Sequence, residues 1–317
     1  MPIEYQILCA LGLDFAFGDP RWLPHPVRLM GTTALWLENI WRRLIANERA
    51  AGIATVLSLL AVTGGATAGL LRALAAIHPL AQTVGSILLL YTSVAVTDLA
   101  RHSKAVYRAL TAGDLALARE RVAMIVGRDT AALDEAGVAR AAVESVAESM
   151  VDGVTAPLFF AFLAGPVGAM LYKAVNTMDS TFGYKNDRYK KFGWAPARLD
   201  DLANFLPARL TGLLVPLAAS LLGLDGRASW RIFCRDRLNH ASPNSAHTEA
   251  GVAGALRIQL GGTNLYFGKP VTKPTMGEPL TPIRAAHILA ANRLLYCTTL
   301  LAVALGVARR LTVDFLA

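Results

Sequence analysis

Acidic residues four apart, followed by a long uncharged run, form the pattern in this chain that most invites chemistry. In AVESVAESMVDGVTAPLFFAFLAGPVGAMLY, residues 142–172, Glu144, Glu148 and Asp152 recur at i+4, and residues 153–172 carry no charge. On an α-helix that spacing stacks the side chains on one face, with Arg140 one turn earlier. Stacked carboxylates with no interleaved base repel one another. They call for magnesium or for a basic side chain from another segment. The plainer alternative is a solvated face with an Arg140 to Glu144 pair.

Three further segments carry mixed polar chemistry. YKAVNTMDSTFGYKNDRYKKFGW contains Lys173, Asn176, Asp179, Ser180, Lys185, Asn186, Asp187 and Arg188, with Lys173, Asn176 and Ser180 at helical spacing. Oxygen ligands among positive charges suit a metal-phosphate complex; lipid-headgroup anchoring explains Lys190 and Lys191 but not the Asn, Asp and Ser residues. ARLDDLANFLPARL adds Asp200, Asp201, Asn204 and Arg209, of which a helix cap at Asp200 accounts for one acid. RDRLNHASPNSAHTEAGVAGAL supplies Arg235, Asp236, Arg237, Asn239, His240, Ser242, Asn244 and Glu249, and its small residues permit close helix packing. No GxxxxGK[ST] loop, HExxH, CxxC or GxSxG motif occurs. Nucleotide chemistry would therefore need a site assembled from separate segments.

The elements that must position these residues are apolar. Of 317 residues 54% are apolar and only 17% charged, with mean hydropathy +0.41. Uncharged windows at 50–71, 79–97 and 153–172 approach the roughly 20 residues a helix needs to cross a bilayer. Windows at 210–224 and 294–308 are ambiguous between span and core helix. The expected fold is an all-α, polytopic integral-membrane protein with roughly 4–6 membrane helices. Pro157 and Gly165-Pro166 predict a bent or re-entrant segment at 153–172, which would leave the flanking acids and lysines on one side of the membrane.

An apolar helix is expected at about residues 4–17 and, lacking a basic leader or cleavage site, is taken as part of the mature fold. An amphipathic helix follows, with Trp36, Leu37, Ile40, Trp41 and Leu44 on one side as an interfacial element. No repeat or long linker divides the chain. One membrane-embedded domain over 1–317 is expected, with polar catalytic segments 98–152, 173–209 and 225–293. Net charge +8 lies between apolar windows rather than on one face. That distribution fits anionic lipid and the positive-inside bias, places the polar segments on the cytoplasmic side of the cell membrane, and argues against nucleic acid as a partner. The widely spaced Cys9, Cys234 and Cys297 show no metal or disulfide pattern.

Seven ordered blocks then give the chain a resemblance that covers nearly its whole length: GDPRWLPHPVRLMG, VGRDT, AVESVAESMVDGVTAPLFF, YKAVNTMDSTFGYKNDRY, ARLDDLANFLPARL, RDRLNHASPNS and LGGTNLYFGK. It resembles the integral-membrane adenosylcobinamide-phosphate synthases of cobalamin biosynthesis, the CbiB/CobD family. His247 and Thr248 depart from the family pattern, which has Trp and then Pro or Ser ahead of the Glu.

The resemblance implies ATP-dependent amide ligation of (R)-1-amino-2-propanol O-2-phosphate, or a related aminoalcohol, to the propionate carboxylate of adenosylcobyric acid, with ATP and magnesium required. Its partners would be those substrates, the lipid bilayer and other cobalamin-pathway enzymes. Within that chemistry Glu144, Glu148, Lys173 and Asp179 are the expected catalytic residues. Glu144, Glu148, Asp152 and Asp179 are the expected magnesium ligands. His25, Arg28, Asn176, Lys185, Asn186, Arg188, Asn204, Arg209, His240 and Asn244 are expected to bind substrate or phosphate. Two rival readings remain at this point: a membrane transporter, and a non-catalytic scaffold for the corrinoid-pathway enzymes.

Overall fold

The computed structural model describes residues 1–20, 22, 25–184 and 186–316, with side chains to residue 312. Lys185 therefore lies outside the described residues. Helices run in the order α1 (Ile3–Phe17), α2 (Pro26–Leu44), α3 (Glu48–Ile77), α4 (Pro79–Tyr91), α5 (Val96–Thr111), α6 (Leu115–Ala123), α7 (Glu135–Met150), α8 (Ala156–Phe182), α9 (Trp194–Ala203), α10 (Phe205–Leu221), α11 (Gly226–Asp236), α12 (Ser245–Leu256) and α13 (Ala286–Leu316). Between α12 and α13 stands one hairpin, β1 (Gln259–Tyr266) and β2 (Lys269–Gly277).

Among the described residues four helical stretches are long and apolar enough to cross a membrane: Glu48–Ile77, Pro79–Thr111, Glu135–Phe182 and Ala286–Thr312. A fifth forms if α9 and α10, bent by 45° at their junction, count as one span. The fold is thus the expected helical membrane architecture with a small two-stranded addition. Lipid is the solvent that explains α3. Only 28% of its most apolar window is buried, and Ile53, Leu57, Val62, Leu70 and Ile77 are exposed, which water would penalise by roughly 1.5–3 kcal/mol per side chain.

Contacts divide the chain into two compact units, each made of segments far apart in sequence. Unit 1 comprises Met1–Ala95, Ala156–Asn204 and Gly306–Ala317; unit 2 comprises Val96–Thr155 and Phe205–Leu305.

In unit 1, α2, α3 and α8 enclose a core of Met30, Leu37, Leu59, Met170, Met178, Phe182 and Phe192, with Trp41 packed against it. The expected single stripe on α2 divides here. Trp36, one residue off the Leu37 face, and Leu44, on the last turn, are 61% and 70% exposed, free to sit at a lipid interface. The bend expected in 153–172 is present: Gly165 adopts φ 63° and ψ −154° immediately before Pro166. Proline has no N–H to offer the Phe162 carbonyl four residues back. Arg310 Nη2 donates to that carbonyl at 2.9 Å instead.

In unit 2, α10, α11 and α12 pack through small residues. A Cβ on Gly254 would lie 2.6 Å from the Ala228 carbonyl oxygen, and Ser229 Oγ donates to the Gly251 carbonyl at 2.7 Å. The hairpin turns at Phe267 and Gly268, both at positive φ, the turn geometry that matches strand twist. α7 does not run straight into α8. Val151–Thr155 form a π-helical turn, so the acidic ladder keeps its 3.6-residue register through Glu148 and loses it at Asp152.

Candidate functional site

The expected residues gather into two polar clusters, one in each unit. In unit 1 the C-terminal half of α8 meets α9. Tyr172 Oη donates to Asn204 Oδ1 at 2.8 Å, Asn204 Nδ2 donates to Asp200 Oδ2 at 2.9 Å, and Asn176 Nδ2 reaches Asp200 Oδ1 at 3.5 Å. Tyr172, Asn204 and Asp200 are buried. Lys173 lies within electrostatic reach of Asp200, and Asp179 within reach of both Asp200 and Asp201. Lys173 and Asp179 are half-buried, so this closed amide-carboxylate network carries one ammonium and one carboxylate that a ligand can touch.

The other residues expected in unit 1 have local partners. His25 caps α2, its Nδ1 accepting from Val27 N–H at 3.3 Å, while Nε2 lies 3.5 Å from Asp19. Arg28 is exposed on the first turn of α2. Asn186 Oδ1 accepts from Tyr189 N–H at 2.9 Å, closing a turn. Arg188, expected at a phosphate, instead donates through Nη2 to buried Glu38 at 3.1 Å, where Arg42 Nε also donates at 2.9 Å. The buried acid takes both guanidiniums because an unpaired internal carboxylate would be costly. Its hydrogen bond and charge raise the Arg188 pKa.

Unit 2 separates the acids of the ladder into different tasks. Glu144 holds the hairpin. It pairs with the buried Arg128, accepts from Gly261 N–H at 2.7 Å and lies 3.9 Å from Arg140 Nε. Arg128 Nη1 continues to Asn264 Oδ1 at 2.7 Å, and Arg140 Nη1 to the Gly261 carbonyl at 2.9 Å. With both oxygens engaged, Glu144 has in Arg128 the basic side chain from another segment that is one of the two partners its spacing calls for. Glu148, one turn on, is exposed and accepts from Ser245 Oγ at 3.2 Å. Asp152, in the π turn, is half-buried.

Around Glu148 stand Glu249, Lys273 and His240. Glu249 is buried, and its pKa is held well above the ordinary glutamate value, first by burial and then by Glu148 and Glu144. Burial opposes the Lys273 charge, yet Tyr266, Glu148 and Glu249 hold its pKa above the usual lysine range. Burial, then Lys273, lowers the pKa of His240, whose Nδ1 accepts from Ser242 N–H at 3.0 Å. A buried carboxyl with a raised pKa beside an exposed glutamate and a lysine is an arrangement suited to acid-base chemistry.

Among the described residues no three His, Cys, Asp or Glu side chains are placed to hold a metal by themselves. Magnesium bound with a nucleotide takes only one or two carboxylates and completes its shell from phosphates and water. Asp179 and Asp201 lie within electrostatic reach of one another in unit 1. Of the four carboxylates expected at a metal, Asp179 belongs to unit 1 and Glu144, Glu148 and Asp152 to unit 2.

Arg209 and Asn244 meet elsewhere in unit 2. Arg209 Nη1 donates to the Phe205 carbonyl at 2.7 Å and reaches Asn244 Oδ1 at 3.4 Å. Nearby, burial and then Arg209 push the His247 pKa down to about 4, from an ordinary 6.5. The unfolded chain therefore binds the extra proton between those two values, and folding stability rises with pH across that window. Thermal unfolding in detergent is expected to show a midpoint that falls as pH drops from about 6.5 to 4, and to fall less in His247→Phe.

Several residues were not singled out from the sequence. Arg128 in the VGRDT block, Glu249, Lys273 and Asn264 carry no role that sequence spacing assigns. The available signals were a buried-helix acid that needs a cation, and the Asn-containing hairpin block LGGTNLYFGK.

A family model described as CobD/Cbib protein matches residues 7–295. The cobalamin biosynthesis protein CobD of Geobacter metallireducens is 55% identical over 290 residues, covering 92% of this chain and 91% of that protein. The protein of the same name from Pelobacter propionicus is 48% identical over 301 residues, covering 94% and 93%. That from Clostridium perfringens is 45% identical over 291 residues, covering 92% of each. No solved structure matches the chain.

Proposed function

Because this chain belongs to the CobD/Cbib protein family and takes part in cobalamin biosynthesis, we propose that it ligates an aminoalcohol phosphate to the propionate carboxylate of adenosylcobyric acid with consumption of ATP. The observation that carries this reading is the grouping of Glu148, Glu249, Lys273 and His240 in unit 2. A scaffold has no use for a buried glutamate grouped with an exposed glutamate, a lysine and a histidine. A carrier would more often place such groups in paired, similarly broken halves, and this chain shows no internal repeat.

A carboxylate becomes an acyl donor when one oxygen takes the γ-phosphoryl of ATP, leaving ADP; the amine then attacks only as a free base, and the new C–N bond forms as the acyl C–O bond breaks and inorganic phosphate leaves. Glu148 takes the proton from the incoming ammonium, and Lys273 faces the phosphate of the same substrate. In unit 1, Lys173 binds a phosphate oxygen while Asn176 and Asp200 fix the orientation of neighbouring groups. Asp179 and Asp201 would hold magnesium, which supplies charge neutralisation to the transferring phosphoryl group. This reading requires ATP, which is supplied on the cytoplasmic side of the cell membrane.

Detergent-purified protein incubated with adenosylcobyric acid, magnesium-ATP and aminopropanol phosphate is expected to form an amide product in step with ADP, both followed by mass. ADP and amide absent from protein that still binds the corrinoid would favour a carrier or scaffold.

A further inference from the structure

A groove of 480 Å³ runs along α10, α11 and α12, with Leu213, Trp230, Phe233 and Leu238 as apolar walls and Arg209, Arg237 and His247 as its polar groups. Three features call for an occupant. Arg209 and Arg237 are close enough to repel, and among the described residues neither has a carboxylate partner. His247 is only 2% exposed, yet its Nδ1 has no hydrogen-bond partner. The neighbouring Asn244 carbonyl already accepts the His247 backbone N–H, at 3.2 Å. A buried polar atom left unsatisfied costs about 1–3 kcal/mol, and two guanidiniums that donate only to neutral oxygens, Arg209 to the Phe205 carbonyl and Asn244, and Arg237 to the Cys234 carbonyl, leave positive charge for an anion to meet.

The walls identify the rest of the ligand. Leu213 continues into Leu210, Leu217 and Leu221, spaced three or four residues apart on one face of α10 and all exposed. α10 belongs to a candidate membrane span, so this stripe faces acyl chains. Trp230, 49% exposed, has the aromatic-amphipathic character of residues at headgroup depth. A small phosphorylated substrate would leave these walls uncovered; a phospholipid covers them.

We propose that this groove is a specific site for an anionic phospholipid, its phosphate held by Arg209 and Arg237 beside His247 and its acyl chains lying on the Leu213–Leu217 face. Arg209 thus keeps the phosphate-binding role its sequence suggests, with lipid as the source. The site is independent of the ligation chemistry, and either reading can fail alone.

The test uses the delipidated full chain in neutral detergent, with phosphatidylglycerol, phosphatidylcholine or inorganic phosphate as separate additions. Native mass measurement counts bound lipid. Cys234, an exposed free thiol lining the groove, reports occupancy through its maleimide alkylation rate, read by peptide mass. Phosphatidylglycerol is expected to bind and to slow Cys234 labelling, while phosphatidylcholine and inorganic phosphate do neither. Arg237→Gln is expected to weaken phosphatidylglycerol binding about tenfold, the scale of one charge-assisted contact, with its lipid-free unfolding temperature unchanged. Trp230→Ala, which keeps both arginines, is expected to weaken it as well. Labelling unaffected by phosphatidylglycerol, or equal protection in both variants, would overturn the proposal. Protection by inorganic phosphate alone would assign the groove to a small phosphorylated ligand, with the ligation assay as the independent readout.

Discussion

Glu144→Ala is expected to destabilise the protein by about 3–5 kcal/mol, the cost of leaving a buried cation unpaired. Arg128 and Glu144 are 7% and 8% exposed, so water cannot replace the lost carboxylate. The Gly261 N–H, which donates to Glu144 at 2.7 Å, loses its acceptor at the same time, and Arg140 loses part of its compensation. The damage should spread to the hairpin, since Gly261 and Asn264 both belong to β1 and both are held through this cluster. Chemical unfolding in detergent, with a fluorescent reporter in the hairpin, measures both effects. Arg128→Met combined with Glu144→Met is expected to recover most of the stability, because it removes the buried charges together and retains volume. If Glu144→Ala unfolds like the wild type, the clamp does not hold the hairpin, and Glu144 returns to the list of groups available for magnesium.

That pair marks where the sequence is legible and where it is not. Uncharged windows of membrane length anticipate α3, the α4–α5 stretch and the α7–α8 stretch, because hydrocarbon admits few charges whatever the tertiary arrangement. The bend at Gly165-Pro166 is legible for an equally local reason, the missing proline N–H. Spacing alone places Glu144 and Glu148 on one helix face but assigns them a common role. They differ because Arg128, 16 residues earlier across a loop, reaches Glu144 and not Glu148. No periodicity encodes that contact. The π turn that takes Asp152 out of the ladder depends on packing in the same way. The hairpin is not legible in the sequence, since Pro270 and Pro274 weaken β2 as a strand; it stands as a two-stranded element pinned by Arg128, Asp129 and Arg140. Arg188 looks like a phosphate ligand until Glu38, 150 residues earlier, is seen to be buried beneath it.

Glu148→Gln is expected to lower kcat for amide formation by about 10²–10⁴-fold, the usual contribution of a positioned general base, with KM for the amine nearly unchanged. Glutamine keeps the size of Glu148 and can still meet Ser245 Oγ, but cannot accept the ammonium proton. An alkylamine of lysine type has a pKa of about 10. Raising the pH should therefore supply more free amine from solution and narrow the deficit, whereas a merely structural defect would persist at every pH.

Glu249 sharpens the test. Burial, reinforced by Glu148 and Glu144, holds its pKa well above the ordinary value, and Glu249→Gln, which keeps the size of the side chain without its charge, should retain most of the activity. A different signature is expected for Lys273→Ala. Losing a phosphate contact already made in the ground state raises KM more than it lowers kcat. Wild-type turnover in Glu148→Gln would remove the base from unit 2.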